Sequence, residues 1–280
     1  MKTVLGIDQA KKKFDVALLL NGKYKSKVFE NNPAGFSALL TWLANNDVET
    51  VHACMEATGS YGEALARFLQ EAGHSVSVTN PARIKAFGQS ELLRTKTDKT
   101  DAKLIARFCE KMEPTLWQPP PAEIEYLRGL GRRRDALVSM RTQELNRQVT
   151  SNETVNSSVQ TVLECLDKEI KQISKLIRDH ISNHPDLKHK HDLLDTIPGV
   201  GSATIEAILS EINAFEGFET IEQVVAYMGL SPKEHTSGTS VKGKSAICKI
   251  GNARLRKALY MPALSAIVVT DYNFSSGIDG

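Results

Sequence analysis

Features that would mark a secreted or membrane protein are missing from this sequence. Its 280 residues contain four cysteines without CxxC pairing, and three of them lie in apolar or helical contexts, where cysteine behaves as a small hydrophobe. No apolar run approaches the ~18–20 residues of a membrane span, and no leading charged-then-apolar signal segment is present. We therefore expect a cytoplasmic protein without a membrane partner.

A large net charge is also absent, since the formal net charge is +2. The basic residues are nevertheless unevenly distributed. Residues 233–257 hold seven Lys or Arg against Glu234 alone, and residues 128–147 hold six Arg against two acids. Locally basic faces attract phosphate backbones and release counterions. The first tract favours nucleic-acid binding, whereas the second is equally typical of a solvated helix face.

Four carboxylates stand where a metal-dependent nucleic-acid enzyme needs them. Asp8 and Glu56 each end an apolar run that predicts a short buried strand. Asp98 and Asp101 open a predicted helix, and their i, i+3 spacing puts both on one helix face. Singly, such acids are often turn formers or helix-dipole partners. Together they predict a cleft in which Mg²⁺, or Mn²⁺, offsets the repulsion between carboxylates.

The predicted element order around these acids is βββαβαβα. Strands over 14–20 and 24–29 follow the Asp8 strand, joined by a tight Asn21-Gly22 turn. A helix from Pro33, the Glu56 strand, a helix over 61–71 and a strand over 75–79 come next. This order, with acids on the first strand, the fourth strand and the last helix, predicts an RNase H-like domain.

Several motifs resemble one family, the DEDD transposases of bacterial insertion sequences known as the insertion sequence 110 family. The N-terminal motifs are Gly6-Ile7-Asp8, the segment 55–62 and the run 96–102. The C-terminal motifs are Leu230-Ser231-Pro232, the segment 237–240 and the segment 249–256. The resemblance covers nearly the whole sequence and implies a RuvC-like N-terminal domain.

The resemblance implies a recombinase in which Asp8, Glu56, Asp98 and Asp101 hold metal. It also implies that Ser237 is the nucleophile that forms a covalent link to DNA. The residues alone do not distinguish Ser237 from Ser240 or Ser245, because loop hydroxyls often bond their own backbone. The family further implies a noncoding guide RNA and a homo-oligomer, either dimer or tetramer.

Two other functional classes remain open at this point. A RuvC-like, structure-selective endonuclease would use the same four acids with water as the nucleophile. An inactive, truncated copy would bind nucleic acid only. Family members usually continue with a further helical stretch rich in Lys and Arg, whereas residues 268–274 are not helical in pattern, so we expect a truncated C-terminal domain.

The middle of the chain predicts long helices after Pro119-Pro120-Pro121, with a break near residues 150–158. A heptad seam in the second helix predicts either a helical hairpin within the chain or a dimer contact. The seam residues are Val159, Leu163, Leu166, Ile170, Ile173 and Ile177. We therefore predict a catalytic domain over 1–118, a helical coiled-coil linker or oligomerisation region over 119–190, and a helical transposase domain over 191–280.

A short stretch with four histidines, residues 180–191, is predicted to be a polar connector rather than a zinc site. After it, Gly199-Val200-Gly201 resembles the turn of a helix-hairpin-helix element, in which backbone N–H groups bind phosphate. The alternative is a helical hairpin that only packs its own domain. The predicted nucleic-acid-binding residues are Gly199, Gly201, Lys242, Lys244, Lys249, Arg254 and Arg256.

Overall fold

The chain forms two compact units, Met1–Pro119 and Pro120–Gly280, in the computed structural model. The structure describes residues 3–57, 61–91, 98–150, 152–212, 218–233, 236–237, 241–242 and 246–275. At residues 98, 99, 233, 236, 237, 241, 242 and 268–275 it describes the backbone alone. The predicted division into three domains stays a prediction.

The first unit is built on a five-stranded mixed sheet with the order β3-β2-β1-β4-β5. Its strands are β1 Val4–Gln9, β2 Lys13–Leu20, β3 Lys23–Glu30, β4 His52–Glu56 and β5 Ser75–Thr79. The first three pair antiparallel, and β4 and β5 continue the sheet parallel to β1. All five strands were predicted from the sequence and are confirmed.

A two-residue turn joins β2 to β3. Asn21 and Gly22 both have positive φ, 50° and 74°, which matches the right-handed twist of the strands they connect. Leu20 therefore pairs with Lys23 directly after the turn. The predicted Asn21-Gly22 hairpin is confirmed.

Helices cover both faces of this sheet. They are α1 Pro33–Ala44, α2 Glu63–Glu71, α3 Pro81–Ser90 and α4 Asp98–Met112. Leu39 of α1 and Leu65 of α2 pack on the face that carries Ile7, whereas Ile84 of α3 and Ile105 of α4 pack on the opposite face. Each strand alternates between these two buried layers.

Helix α3 is not in the predicted order, so that order was incomplete. The missed signal is Asn80-Pro81: the Asn80 side chain accepts a hydrogen bond from the Ala82 backbone N–H at 2.8 Å, and Pro81 occupies the first helical turn. Asn32 and Pro33 begin α1 in the same way, with Gly35 as the donor at 2.8 Å.

The second unit is mainly helical in the part that the structure describes. Its helices are α5 Ala122–Thr150, α6 Glu153–Asn183, α7 Pro185–Asp195, α8 Ser202–Glu211, α9 Ile221–Met228 and α10 Ala253–Ser275. Two small antiparallel pairs lie between α9 and α10, β6 Pro232–Lys233 with β9 Ala246–Ile247 and β7 Thr236–Ser237 with β8 Val241–Lys242. None of the described helices is long and apolar enough to cross a membrane.

Helices α5 and α6 form a long hairpin. The predicted break falls between Thr150 and Glu153, where the Asn152 side chain caps the Val155 N–H at 3.0 Å. Val159, Leu163, Leu166 and Ile177 of the seam are buried within the single chain. The seam therefore belongs to a hairpin inside the chain, which was one of the two predicted possibilities.

Two predictions for this unit were wrong. The histidine-rich stretch is helical rather than a loop, since residues 180–183 end α6 and residues 185–191 belong to α7. His180 Nε2 lies 2.8 Å from the Glu123 carbonyl oxygen at the start of α5, and His184 Nδ1 lies 2.7 Å from the His180 carbonyl oxygen. Residues 268–274 continue α10 as helical backbone. The Asn252 side chain caps the start of α10 by accepting hydrogen bonds from the backbone N–H groups of Arg254 and Leu255. The β-branched residues of α10 do not end the helix.

Candidate active site

The sheet places Asp8 and Glu56 side by side on one face. Strands β1 and β4 run parallel with Ile7 opposite Met55, so the acids that follow these residues are neighbours at the carboxyl ends of their strands. Gly6 and Cys54, two positions earlier, are also paired. Since Cys54 packs against α4, both acids belong to the face that α4 covers.

Helix α4 approaches this face closely at Gly6. A Cβ at Gly6 would lie 2.1 Å from the Ala102 carbonyl oxygen and 2.3 Å from the Ala106 backbone nitrogen. Only a residue without a side chain allows this approach. Asp101 immediately precedes Ala102, so the first turn of α4 lies over the strand that carries Asp8. The side chain of Asp98, which begins α4, lies outside the described side chains.

A fifth carboxylate joins this face and was missed from the sequence. Asp15 of β2 pairs directly with Asp8 in the antiparallel ladder and is 9% exposed. The Lys13 Nζ lies 3.1 Å from Asp15 Oδ2. A sequence signal existed, since Asp15 interrupts an otherwise apolar strand on the face that Asp8 shares. Like charges directly opposite each other destabilise a strand pair unless a cation offsets them.

Amide side chains fix the ends of these strands. Gln9 Nε2 donates to the Glu56 carbonyl oxygen at 2.7 Å, which bridges β1 and β4 beside both acids. Gly62 allows this contact, because a Cβ there would lie 1.9 Å from Gln9 Oε1. Asn31 Nδ2 donates to the carbonyl oxygens of Ala10 at 2.9 Å and Tyr61 at 3.0 Å. Hydrogen bonds that the sequence motifs did not predict thus hold the loops around the acids.

Beneath the acids, two buried thiols lie between β4 and α4. A hydrogen bond with Cys109 of α4 lowers the pKa of the Cys54 thiol. Cys109 Sγ also lies 3.8 Å from the His52 carbonyl oxygen, within the limit for a weak sulfur hydrogen bond. These contacts fix α4 against the strand that ends in Glu56.

The donor set of this face consists of carboxylate oxygens, which suit Mg²⁺ and Mn²⁺. Among the side chains that the structure describes, no group of three or more His, Cys, Asp or Glu is arranged to hold a metal ion. The described chain nevertheless brings Asp8, Asp15 and Glu56 to one face of the sheet, beneath the first turn of α4.

In the second unit, Ser237 ends the short strand β7. It pairs with Val241 of β8, and Thr236 pairs with Lys242. The side chains of Ser237 and Lys242 lie outside the described part, as does Lys244 entirely. The structure therefore gives the backbone setting of the predicted nucleophile, the antiparallel β7–β8 pair, which lies in the sequence between β6 and β9.

Two arginines predicted to bind nucleic acid make internal contacts. Arg254 Nε lies 2.5 Å from Asp135 Oδ2, and its Nη1 lies 3.1 Å from Glu211 Oε1. Arg256 Nη1 donates to the Met228 carbonyl oxygen at 2.9 Å. By contrast, Lys249 is exposed, with φ at 59°.

The predicted helix-hairpin-helix turn lies between α7 and α8. Gly199 has φ at 84°, and a Cβ there would lie 2.8 Å from Ser265 Cβ, so the turn packs closely on α10. Gly201 is the N-cap residue of α8, and no described atom lies within 4 Å of a Cβ at that position. In this turn, Gly199 is therefore packed against α10, whereas the space beside Gly201 is unoccupied by described atoms.

Two family models match the chain. A transposase model, that of the DEDD transposases of IS110, matches residues 5–151, and a model for transposases of the IS116/IS110/IS902 family matches residues 191–277. Together they cover the Asp8 face and the segment that contains Ser237. The sequence motifs had predicted this family, and the matches confirm it.

Curated relatives agree over most of the chain. The pilin gene-inverting protein of Moraxella bovis is 36% identical over 265 residues, which cover 94% of this chain and 82% of the relative. The transposase for insertion sequence element IS1111A of Coxiella burnetii is 24% identical over 285 residues, covering 91% of this chain and 75% of the relative. The chain therefore belongs to the IS110 family of insertion-sequence transposases and recombinases.

Proposed function

We propose that this transposase moves its insertion sequence by cutting and rejoining DNA through a covalent link between Ser237 and the DNA backbone. The observation that carries this proposal is the placement of Asp8 and Glu56 at neighbouring strand ends on one face of the sheet, with the first turn of α4 over that face. Carboxylates gathered in this way are a typical site for phosphoryl transfer.

The fold of the first unit supports an RNase H-like, RuvC-like catalytic domain over residues 1–118. Three antiparallel strands followed by two parallel ones, with helices on both faces, agree with the predicted element order apart from the additional α3. In the second unit, α7, the Gly199–Gly201 turn and α8 support a helix-hairpin-helix element within a transposase domain over 191–280.

Asp8, Glu56, Asp98 and Asp101 would hold Mg²⁺ or Mn²⁺. When bound, the metal supplies charge that stabilises the attacking and leaving oxygens of a phosphodiester. The protein's own part is to hold the carboxylates in place. Gln9 holds Glu56 beside β1, and Gly6 lets α4 bring Asp101 to the same strand.

Ser237 would attack phosphorus with its Oγ. A Ser Oγ–phosphorus bond forms, the bond from phosphorus to a deoxyribose oxygen breaks, and that oxygen takes up a proton as the serine loses one. The resulting phosphoserine diester conserves the bond energy needed for rejoining. The name of the Moraxella relative, a gene-inverting protein, supports a reaction in which strands are both cut and resealed.

DNA at the element ends and at the target is the proposed substrate, with a noncoding RNA as guide and a homo-oligomer as the active form, in the cytoplasm. Base pairing with the RNA would read the sequence, whereas the protein would hold the backbones by charge and shape. Lys242, Lys244 and Lys249 are the proposed basic contacts, together with the N–H groups near Gly199 and Gly201. Arg254 and Arg256, also predicted to bind nucleic acid, make internal contacts.

The proposal is tested by incubating the protein with Mg²⁺, DNA from its element's end and the adjacent transcribed RNA. After denaturation, protein covalently attached to DNA is expected with the wild type. Ser237→Ala and Asp8→Ala should both abolish the adduct, and Ser240→Ala serves as the matched serine control.

Other outcomes of this experiment would assign a different function. Strand cleavage without an adduct, retained in Ser237→Ala, would indicate a RuvC-like endonuclease that uses water. Salt-dependent binding without cleavage, unchanged in Asp8→Ala, would indicate a protein that only binds nucleic acid.

A further inference from the structure

The segment that bears Ser237 is anchored at both ends by backbone hydrogen bonds. Cys248 N–H donates to the Ser231 carbonyl oxygen at 2.9 Å, and Lys249 N–H donates to the Gly229 carbonyl oxygen at 3.0 Å. These bonds continue the β6–β9 pairing, and we call residues 229–233 and 246–249 the base. Ser237 follows Lys233 of the base by four residues in the sequence.

Glu211, the last residue of α8, lies beneath the base with a side chain that is 8% exposed. Its Oε2 accepts from Asn252 Nδ2 at 2.8 Å, and its Oε1 accepts from Arg254 Nη1 at 3.1 Å. Asn252 immediately precedes α10, and Arg254 lies in its first turn. We call Glu211, Asn252 and Arg254 the Glu211 clamp.

Arg254 extends the clamp to a second residue of α8 and to one further helix, α5. Its Nη1 donates to Ser210 Oγ at 2.7 Å, and its Nε donates to Asp135 of α5 at 2.5 Å. The side chain is 17% exposed, and Gly131 gives it room, since a Cβ there would lie 2.5 Å from Arg254 Nη2. A planar guanidinium bonded on two edges has a fixed orientation, which an ammonium group cannot reproduce.

The end of α9, which leads into the base, is held as well. Arg256 Nη1 donates to the Met228 carbonyl oxygen at 2.9 Å, and the Tyr227 hydroxyl donates to the Glu211 carbonyl oxygen at 3.2 Å. Asn252 N–H donates to the Tyr227 carbonyl oxygen at 2.8 Å. Residues before β6 and after β9 are thus fixed to one carboxylate-bearing turn.

We propose that the Glu211 clamp, with Arg256, positions the Ser237 hairpin, and that Arg254 acts through these internal bonds rather than as a ligand of DNA phosphate. The proposal rests on Ser237 being the nucleophile. A buried network of charged groups is rigid, because breaking its hydrogen bonds would leave charged groups buried without partners, at a large cost in free energy. Displacing a nucleophile by about 1 Å is enough to slow a reaction about a hundredfold.

The test compares Arg254→Lys with wild type, because lysine keeps the positive charge but cannot bond Asp135, Ser210 and Glu211 together. The rate of adduct formation should fall by about tenfold or more, while the dissociation constant for DNA and its salt dependence stay unchanged. A phosphate ligand would give the opposite result: nearly wild-type rates for Arg254→Lys, and for Arg254→Gln weaker binding with a salt slope lower by about 0.9. Arg178→Gln, an exposed arginine of α6, is the matched control.

Coupling between the clamp residues gives a second criterion. In the cycle of Glu211→Gln, Arg254→Lys and the double variant, the double variant should lose little more adduct rate than either single variant, since all three break one network. Independent, additive losses would contradict the clamp.

Hydrogen exchange decides the proposal separately from the chemistry. In Arg254→Lys, peptides over residues 229–253 should exchange faster, whereas α6 peptides should not change. Unchanged exchange over 229–253 would overturn the clamp. If the wild type forms no adduct but the exchange changes as expected, the clamp stands and the serine mechanism fails.

Discussion

Asp8 and Asp15 lie directly opposite each other in the antiparallel β1–β2 ladder, on the face of the sheet that α4 covers. Two like charges in such a pair repel each other. Lys13 offsets part of this repulsion from its position 3.1 Å from Asp15. The face is therefore suited to attract a further cation, and its acids work against the stability of the empty protein.

Asp8→Asn should therefore affect stability in opposite ways with and without metal. Without divalent cations, the variant should melt at a higher temperature than wild type because one charge of the pair is removed. With Mg²⁺, the melting temperature of wild type should rise and that of the variant should rise less. Asp179→Asn, an exposed acid of α6, should change neither value. Equal Mg²⁺ responses in wild type and Asp8→Asn would contradict a role for Asp8 in metal binding.

Gly6→Ala should destabilise the first unit. Its methyl group would overlap the Ala102 carbonyl oxygen, so α4 would have to move away from β1. Overpacking of this kind costs about 1–3 kcal/mol. Urea denaturation should show the loss as a lower transition midpoint.

Gly129→Ala provides the matched glycine control, because no described atom lies within 4 Å of its Cβ position in α5. Alanine in a helix interior should stabilise by about 0.5–1 kcal/mol relative to glycine. Equal effects at the two glycines would show that α4 does not press on β1.

The α5–α6 hairpin predicts different costs for two leucines of α6. Leu163 is buried in the seam, whereas Leu176 is 39% exposed. Leu163→Ala should lower the free energy of unfolding by about 2–5 kcal/mol, through lost burial and the cavity left behind. Leu176→Ala should cost clearly less. Similar losses, measured by urea denaturation of each variant, would mean that the seam does not pack within the chain.

His74 gives the first unit a pH dependence. Burial of the imidazole lowers its pKa below the ordinary value of 6.5. Because the unfolded state binds the proton more tightly, the stability contributed by neutral His74 is complete above the unfolded pKa and is lost as the pH falls from there through the lower folded pKa.

The melting temperature of wild type should therefore drop between about pH 7.5 and 5.5 more than that of His74→Gln. His189→Gln, which removes an exposed histidine, should follow wild type. Parallel curves for wild type and His74→Gln would show that His74 does not contribute to the acid sensitivity.

Local patterns predicted the strands of the first unit well, because apolar alternation and the Asn21-Gly22 turn act over a few residues. They also put Asp8 and Glu56 at neighbouring strand ends. The pairing of Asp15 with Asp8 depends on the register of two strands, and the bond from Gln9 to Glu56 depends on the order of strands in the sheet. Neither relationship is contained in a motif.

In the second unit, tertiary contacts add what local patterns did not contain. The polar composition of the histidine-rich stretch suggested a loop. His180 instead contacts the Glu123 carbonyl oxygen in the first turn of α5, and α6 continues past His180. The basic tract after residue 233 suggested phosphate contacts for Arg254, yet the acids that bind it, Asp135 and Glu211, come from distant helices. Charge patterns give the sign of a surface but not the partners of each residue.

The most direct test of the central claim is to digest the covalent protein–DNA adduct with nuclease and trypsin and to locate the attached nucleotide by mass spectrometry. Cleavage after Lys233 and Lys242 yields one peptide, residues 234–242, that contains Ser237 together with Thr236, Thr239 and Ser240. A nucleotide on the Ser237 oxygen is the predicted result. Attachment to another residue, or cleaved DNA without an attached peptide, would contradict the serine mechanism.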